Sequence, residues 1–190
     1  NLSGAYIRLG DTAKSRGESE VAAKQYMTAH AVLANLVEAD PKHSNWLRDL
    51  AVSCERLGDI EQQRNNLKMA EMRYRESHQI RTRLIAMDPS NIYWQYGITV
   101  PLDRLGDIAS ELADFESAAR HYSEALRITK TVAATDPGNS DWQRSLSMSY
   151  ISLGDLAATQ RDFDVATKHY EAALVAVSYT HLTLPTKLAV

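Results

Sequence analysis

The sequence predicts an all-α protein: an α-solenoid of antiparallel helix hairpins with no strands. Three observations carry that prediction. Leu-Gly-Asp occurs four times, at residues 9–11, 57–59, 105–107 and 153–155, each copy 48 residues after the last. Other positions keep one residue type at the same shift: Ala22, Ala70, Ala118 and Ala166; Tyr26, Tyr74, Tyr122 and Tyr170; Trp46, Trp94 and Trp142; Asp40-Pro41, Asp88-Pro89 and Asp136-Pro137. Self-similarity at a fixed period of this order is the mark of stacked repeats. Finally, apolar residues step by three or four, and nothing alternates with period two over a useful length.

The period divides residues 1–176 into units of about 1–44, 45–92, 93–140 and 141–176, the first and last incomplete. Each reads as two helices. In the second unit, "RNN" at 64–66 is the turn between them. In the third, Trp94, Ile98, Leu102, Leu105, Ile108, Ala109 and Leu112 form one apolar face; "ADF" at 113–115 makes the turn. Ala118, Tyr122, Ala125, Leu126, Thr129, Val132 and Ala133 then form the next face. Asp136-Pro137 ends that helix, because a residue before proline is pushed out of the α region. Asn139 and Asn91 suit the N-cap of the following helix, and His43, in the equivalent place, suits it less well. The fourth unit fits every column up to Ala176. Pro101 falls inside a first helix, where it removes a hydrogen bond and clashes with the carbonyl of Gly97; a kink is expected near 97–101. Gly10, Gly58, Gly106 and Gly154 lie late in the first helices. Each costs about 1 kcal/mol against alanine, so each is expected to admit a neighbouring helix, with the Ala column facing it and the Tyr column beside it.

The pattern "LGD…A-x3-Y…DP" resembles the tetratricopeptide repeat. Gly106, Ala118, Tyr122, Ala125 and Pro137 take that family's signature roles in the third unit. The departure is length: the family's unit has about 34 residues, against 48 here. Trp94 and Pro137 stand further from Gly106 than that signature has them, so each helix should gain about two turns and reach roughly 20 residues, or 30 Å. The resemblance implies a right-handed superhelix whose first helices line a concave groove. It further implies that Asp11, Asp59, Asp107 and Asp155 point into that groove as an acidic ladder, deepened by Glu55 and Asp103 four residues earlier on the same face. A second reading has these carboxylates solvated at helix ends and held by arginines such as Arg56 or Arg104. The family's Lys/Asn clamp for a peptide C-terminus is absent, acidic residues standing where it needs Asn.

Beyond Ala176 the apolar spacing stops. "VSYTHLTLPT" at 177–186 resembles the conceptual translation of a transposon-end sequencing adapter; the other reading is an ordinary flexible tail. Residues 177–190 are therefore read as a non-native or disordered tail. Asn1 opens in mid-pattern, so the chain reads as a fragment of something longer.

Composition narrows the function. The 190 residues are 44% hydrophobic and 24% charged, with a formal net charge of −3. No basic field exists to hold a phosphate backbone, which argues against nucleic acid, including single-stranded RNA read by helical repeats. No apolar run approaches a membrane span, and a cytoplasmic location is expected. Cys54 is the single cysteine, so intrachain disulfides are excluded and no Cys-based zinc site is expected. It matches Leu102 and Tyr150 in neighbouring units and reads as a buried thiol. Trp46, Trp94 and Trp142 read as core aromatics, with stacking anchors as the other reading. His121 and His169 recur 48 residues apart without a ligand partner at a useful spacing; no metal and no cofactor are expected. No phosphate loop, nucleophile elbow or HExxH motif is present. The expected function is a non-catalytic scaffold that binds a protein or peptide segment, basic in character. The alternative is the sensor or recruitment region of a larger bacterial signalling enzyme, a kinase or protease, whose catalytic domain lies elsewhere. Self-association through the cut array ends is also expected.

Overall fold

The structure, a computed structural model, describes the backbone of residues 2–182 and the side chains of residues 2–178. Two compact units divide the chain, Asn1–Arg104 and Leu105–Val190. The first holds α1 (Leu2–Ser15), α2 (Ser19–Ala39), α3 (Ser44–Gln63), α4 (Leu67–Met87), α5 (Ile92–Gly97) and the opening of α6 (Thr99–Glu111). The second holds the rest of α6, then α7 (Phe115–Thr135), α8 (Ser140–Thr159) and α9 (Phe163–Leu182). No strand occurs among the described residues. The unbroken helices of the middle and last hairpins run to 20 or 21 residues, the length that the long period predicts.

Two kinds of turn alternate. Within a hairpin, the first helix ends on a residue with positive φ: Gly17 (77°), Asn65 (59°), Ala113 (59°) and Arg161 (63°). Paired backbone bonds close each end, as in Asn66 N–H to Glu61 carbonyl at 2.8 Å with Asn65 N–H to Gln62 carbonyl at 2.9 Å. This is the Schellman closure, which satisfies carbonyls that a helix end otherwise strands. Between hairpins the Asp-Pro pairs act. Asp40, Asp88 and Asp136 are held at φ between −137° and −147°, and each carboxylate accepts the backbone N–H two residues on. Asn91 and Asn139 then cap their helices with two bonds each, at 3.1 and 3.2 Å. His43 makes one, at 3.4 Å, and stacks on Trp46 instead, with ring centroids 3.8 Å apart.

In the first unit α1 packs on α2, α2 on α3 and α3 on α4. One core gathers Leu33, Val37, Leu47, Leu50, Ala51, Cys54, Ile80 and Leu84, with Trp46 and Trp94 packed half-buried against it. A smaller one gathers Ala13, Ala22, Ala23, Tyr26, Leu57 and Ile60. In the second unit Ala109, Ala118, Tyr122 and Leu156 form the corresponding core. Cys54 is fully buried, as its column predicts.

Three expectations change. The glycines make room for tyrosine rings rather than for the Ala column: a Cβ on Gly10, Gly58, Gly106 or Gly154 would lie 2.4–2.6 Å from a ring carbon of Tyr26, Tyr74, Tyr122 or Tyr170. Leu112 is 58% exposed, because the helix has already turned into the loop there. The kink at Pro101 takes the form of a one-residue interruption at Ile98, whose backbone stays in the α region (φ −73°, ψ −14°), and Pro101 falls in the first turn of α6, where a missing N–H costs little. Gly97 serves another neighbour, since its missing Cβ leaves space for the Arg81 guanidinium, 2.4 Å from where that atom would sit.

The helix α9 includes residues 177–182 of the stretch read as a tail; residues 183–190 lie outside the described residues. No described helix is long and apolar enough to cross a membrane.

Candidate binding surface

Every described Leu-Gly-Asp copy builds the same local device. The glycine admits the tyrosine fifteen residues beyond the aspartate, and the ring's hydroxyl donates to that aspartate: Tyr26 to Asp11 at 2.8 Å, Tyr74 to Asp59 at 3.0 Å, Tyr122 to Asp107 at 2.8 Å and Tyr170 to Asp155 at 2.8 Å. A buried phenol needs a partner for its O–H, and the aspartate supplies one from the end of the facing helix. Burial and then the bond to Asp11 push the Tyr26 phenol above its ordinary pKa, so it remains the donor.

The ladder is consequently occupied on both sides. Within the first unit, Arg56 Nε lies 2.9 Å from Asp11, Lys14 Nζ 2.9 Å from Asp59, and Arg104 Nε 3.3 Å from Asp59. Lys14, Asp59, Gln62, Gln63 and Arg104 line a shallow depression of about 280 Å³. The cations are 30–45% exposed, although Asp59 itself is only 12% exposed; exposed pairs of this kind contribute about 0–1 kcal/mol each. The strip thus carries alternating charge, with Arg56 on Asp11 and Arg104 on Asp59, the arginines that the second reading of the ladder names. Asp103 sits half-buried on α6. Glu55 is no part of a surface: at 6% exposure it takes a two-pronged contact from Arg81, Nε at 2.6 Å and Nη2 at 3.1 Å, and a bond from Ser77 at 2.7 Å. Desolvation explains the arrangement, since a buried carboxylate is tolerated only when paired and hydrogen-bonded.

Two further features were not legible at the residue level. On the second unit, Ala133, Ala134, Leu146, Tyr150, Val175 and Ala176 line much of an apolar trough of about 460 Å³ between α7, α8 and α9. Two periods earlier in the chain, the same columns are Val37, Glu38, Leu50, Cys54, Gln79 and Ile80. Several of these belong to the core against which Trp94 packs. In the first unit, His30 from α2, Cys54 from α3 and Glu76 from α4 bring an imidazole nitrogen, a sulfur and a carboxylate oxygen within 4.8 Å of one another. His30 Nε2 lies 3.1 Å from Glu76 Oε1, and Arg73 donates to Oε2 at 3.0 Å. The bond from His30, with the charges of His30 and Arg73, lowers the Glu76 carboxyl to about 2 against the opposing effect of burial. Burial, and then the Glu76 charge, raises the Cys54 thiol. The three residues are 24 and 22 apart, so no local motif announces them; the only signal is a spacing near half the period, which puts them on successive helices.

The tetratricopeptide repeat family model matches residues 5–65. No curated protein matches the chain in sequence. Among solved structures, the crystal structure of BtubC (BKLC) from P. vanneervenii is 20% identical with a TM-score of 0.75, covering 100% of this chain and 68% of that one, which shows a shared fold. TTC0263, a thermophilic TPR protein in Thermus thermophilus, is 15% identical with a TM-score of 0.44, covering 98% of this chain and 93% of that one.

Proposed function

We propose, from the match of residues 5–65 to the tetratricopeptide repeat model, that the chain is a cytoplasmic, non-catalytic scaffold for a protein segment, held along the alternating-charge strip of α1, α3 and the start of α6. The observation that supports this reading is the partly exposed group of Asp11, Lys14, Arg56, Asp59 and Arg104, of which Lys14, Asp59 and Arg104 line the depression. Such pairs cost little to open. A basic peptide exchanges its own cations for Arg56 and Arg104, and the glutamines at 62 and 63 offer amide contacts. The Tyr–Asp bonds keep the carboxylates in place during that exchange.

The test is a titration with a lysine- and arginine-rich peptide and with an acidic control. Asp11→Asn with Asp59→Asn keeps an acceptor for each tyrosine and removes two charges. At about 0.5–1 kcal/mol each, the double variant should bind the basic peptide roughly 5- to 30-fold more weakly, with unchanged helix content by circular dichroism. Equal binding of both peptides, or no change in the variant, removes the strip as the docking surface.

The apolar trough of the second unit supports a second role, self-association with another copy. Its occupant is the apolar side of that copy's α1, where Leu2 and Leu9 stand 62% and 54% exposed. The two surfaces differ, so the contact is head-to-tail. Sedimentation should show concentration-dependent assembly that Leu146→Glu or Leu9→Glu abolishes; a wild-type monomer at high concentration refutes it.

A further inference from the structure

We propose that His30, Cys54 and Glu76 form a binding site for one borderline-soft divalent cation, of which Zn²⁺ is the type, held across α2, α3 and α4 of the first unit. The chemistry is that of the donors: an imidazole nitrogen, a sulfur and a carboxylate oxygen are the three ligand types that Zn²⁺ accepts. Mg²⁺ and Ca²⁺, which take oxygen shells, are not served by it. The geometry is close to assembled. Bonds of about 2.0–2.3 Å place tetrahedral ligands roughly 3.3–3.8 Å apart, and the three atoms here already lie within 4.8 Å. The remaining contraction falls to His30 and Glu76, whose side chains are partly exposed, while Cys54 is fixed in the core.

The surroundings fit as well. Arg73 holds Glu76 Oε2 and leaves Oε1 toward His30, the kind of outer contact that orients a ligating carboxylate. Binding breaks the Cys54 S–H bond: the sulfur lone pair goes to the metal and the proton to solvent. The Nε2 proton of His30 moves to Nδ1 or, from an imidazolium, also to solvent. Two negative ligands then neutralise the dication, and the Arg73 charge remains beside it. In the repeat columns the counterparts of Cys54 are Tyr6, Leu102 and Tyr150, those of His30 are His78, Leu126 and Leu174, and those of Glu76 are Thr28, Glu124 and Ala172. One register alone carries all three donors, at a place where the pattern calls for an apolar side chain.

Cobalt titration of the metal-free, reduced protein tests this. Cys54 is the only cysteine, so a near-ultraviolet thiolate-to-cobalt band at one equivalent identifies the site without any variant. Zn²⁺ should displace the cobalt, at least one proton should be released per ion, and the melting temperature should rise with Zn²⁺. His30→Ala and Glu76→Gln should each weaken binding by no less than the roughly 10- to 100-fold typical of outer-shell changes. Absence of the thiolate band at saturating cobalt overturns the proposal, as does a band whose affinity neither variant alters.

Discussion

Gly58→Ala should destabilise the protein, although helix propensity alone says the reverse. Alanine gains about 1 kcal/mol over glycine inside a helix. The added Cβ, however, would lie 2.5 Å from Tyr74 Cε1 and 2.8 Å from Cδ1 and Cζ, where carbon atoms ordinarily rest about 3.5–4.0 Å apart. The ring must retreat by about 1 Å, and it has nowhere to go: Tyr74 is fully buried and its hydroxyl is tied to Asp59 and Gln62. Overpacking of this kind costs about 1–3 kcal/mol, and a strained or lost hydroxyl bond adds about 0.5–1.5 kcal/mol. The net expectation is a loss of about 1–3 kcal/mol, read as a lower urea midpoint by circular dichroism. Tyr74→Leu in the Gly58→Ala background should recover part of it, giving a coupling of about 1 kcal/mol or more in a double-mutant cycle. A Gly58→Ala protein as stable as wild type, or more so, refutes the argument that the ring sets the glycine.

Ala113 holds φ at 59°, a conformation that costs a residue with a Cβ roughly 1–2 kcal/mol. Ala113→Gly should therefore stabilise by about 0.5–1 kcal/mol after glycine's own entropy cost, and a lower melting temperature would contradict it. Arg81→Met leaves Glu55 buried without its cation, which should cost about 3–5 kcal/mol; adding Glu55→Gln should restore a measurable part, and a single-variant loss below about 1 kcal/mol would show the pair to be dispensable. The Glu76 carboxyl falls from an ordinary 4.5 to about 2 on folding. A depressed carboxyl contributes stability that is complete above its unfolded pKa and is lost as pH drops through the folded value. Wild type should lose stability between about pH 4.5 and 2 more steeply than Glu76→Gln, measured by urea midpoints at each pH; parallel profiles would refute the assignment.

The helical hairpins, their lengths and the Asp-Pro and Asn caps between them could be read from the chain, because each is written in a period or in a residue whose chemistry acts on its own backbone neighbours. Asn91 and Asn139 against His43 is such a case. What escaped was set by groups distant in sequence. Gly10 and Tyr26 are visibly in register, yet only packing reveals that one makes room for the other. Glu55 and Asp59 are four apart, which puts them on one face by count, but four residues overshoot a turn by about 40°. At the edge of a buried stripe that rotation decides between water and Arg81. The left-handed turn residues hid because only Gly17 advertises its conformation, while Asn65, Ala113 and Arg161 are carried into it by the closing bonds. Cys54 read correctly as a core thiol, but its neighbours His30 and Glu76 come from other helices, and no motif links them.

The Tyr–Asp bond spans a fixed fifteen residues and closes inside a single hairpin. It therefore works as a counting device, measuring the loop between two helices without reference to what comes before or after. Duplication or excision of a whole 48-residue block leaves every such measure intact, whereas one residue added to a hairpin loop throws ring and carboxylate out of step. A chain built this way can grow or shrink by gene duplication in whole modules while its loops stay constant in length.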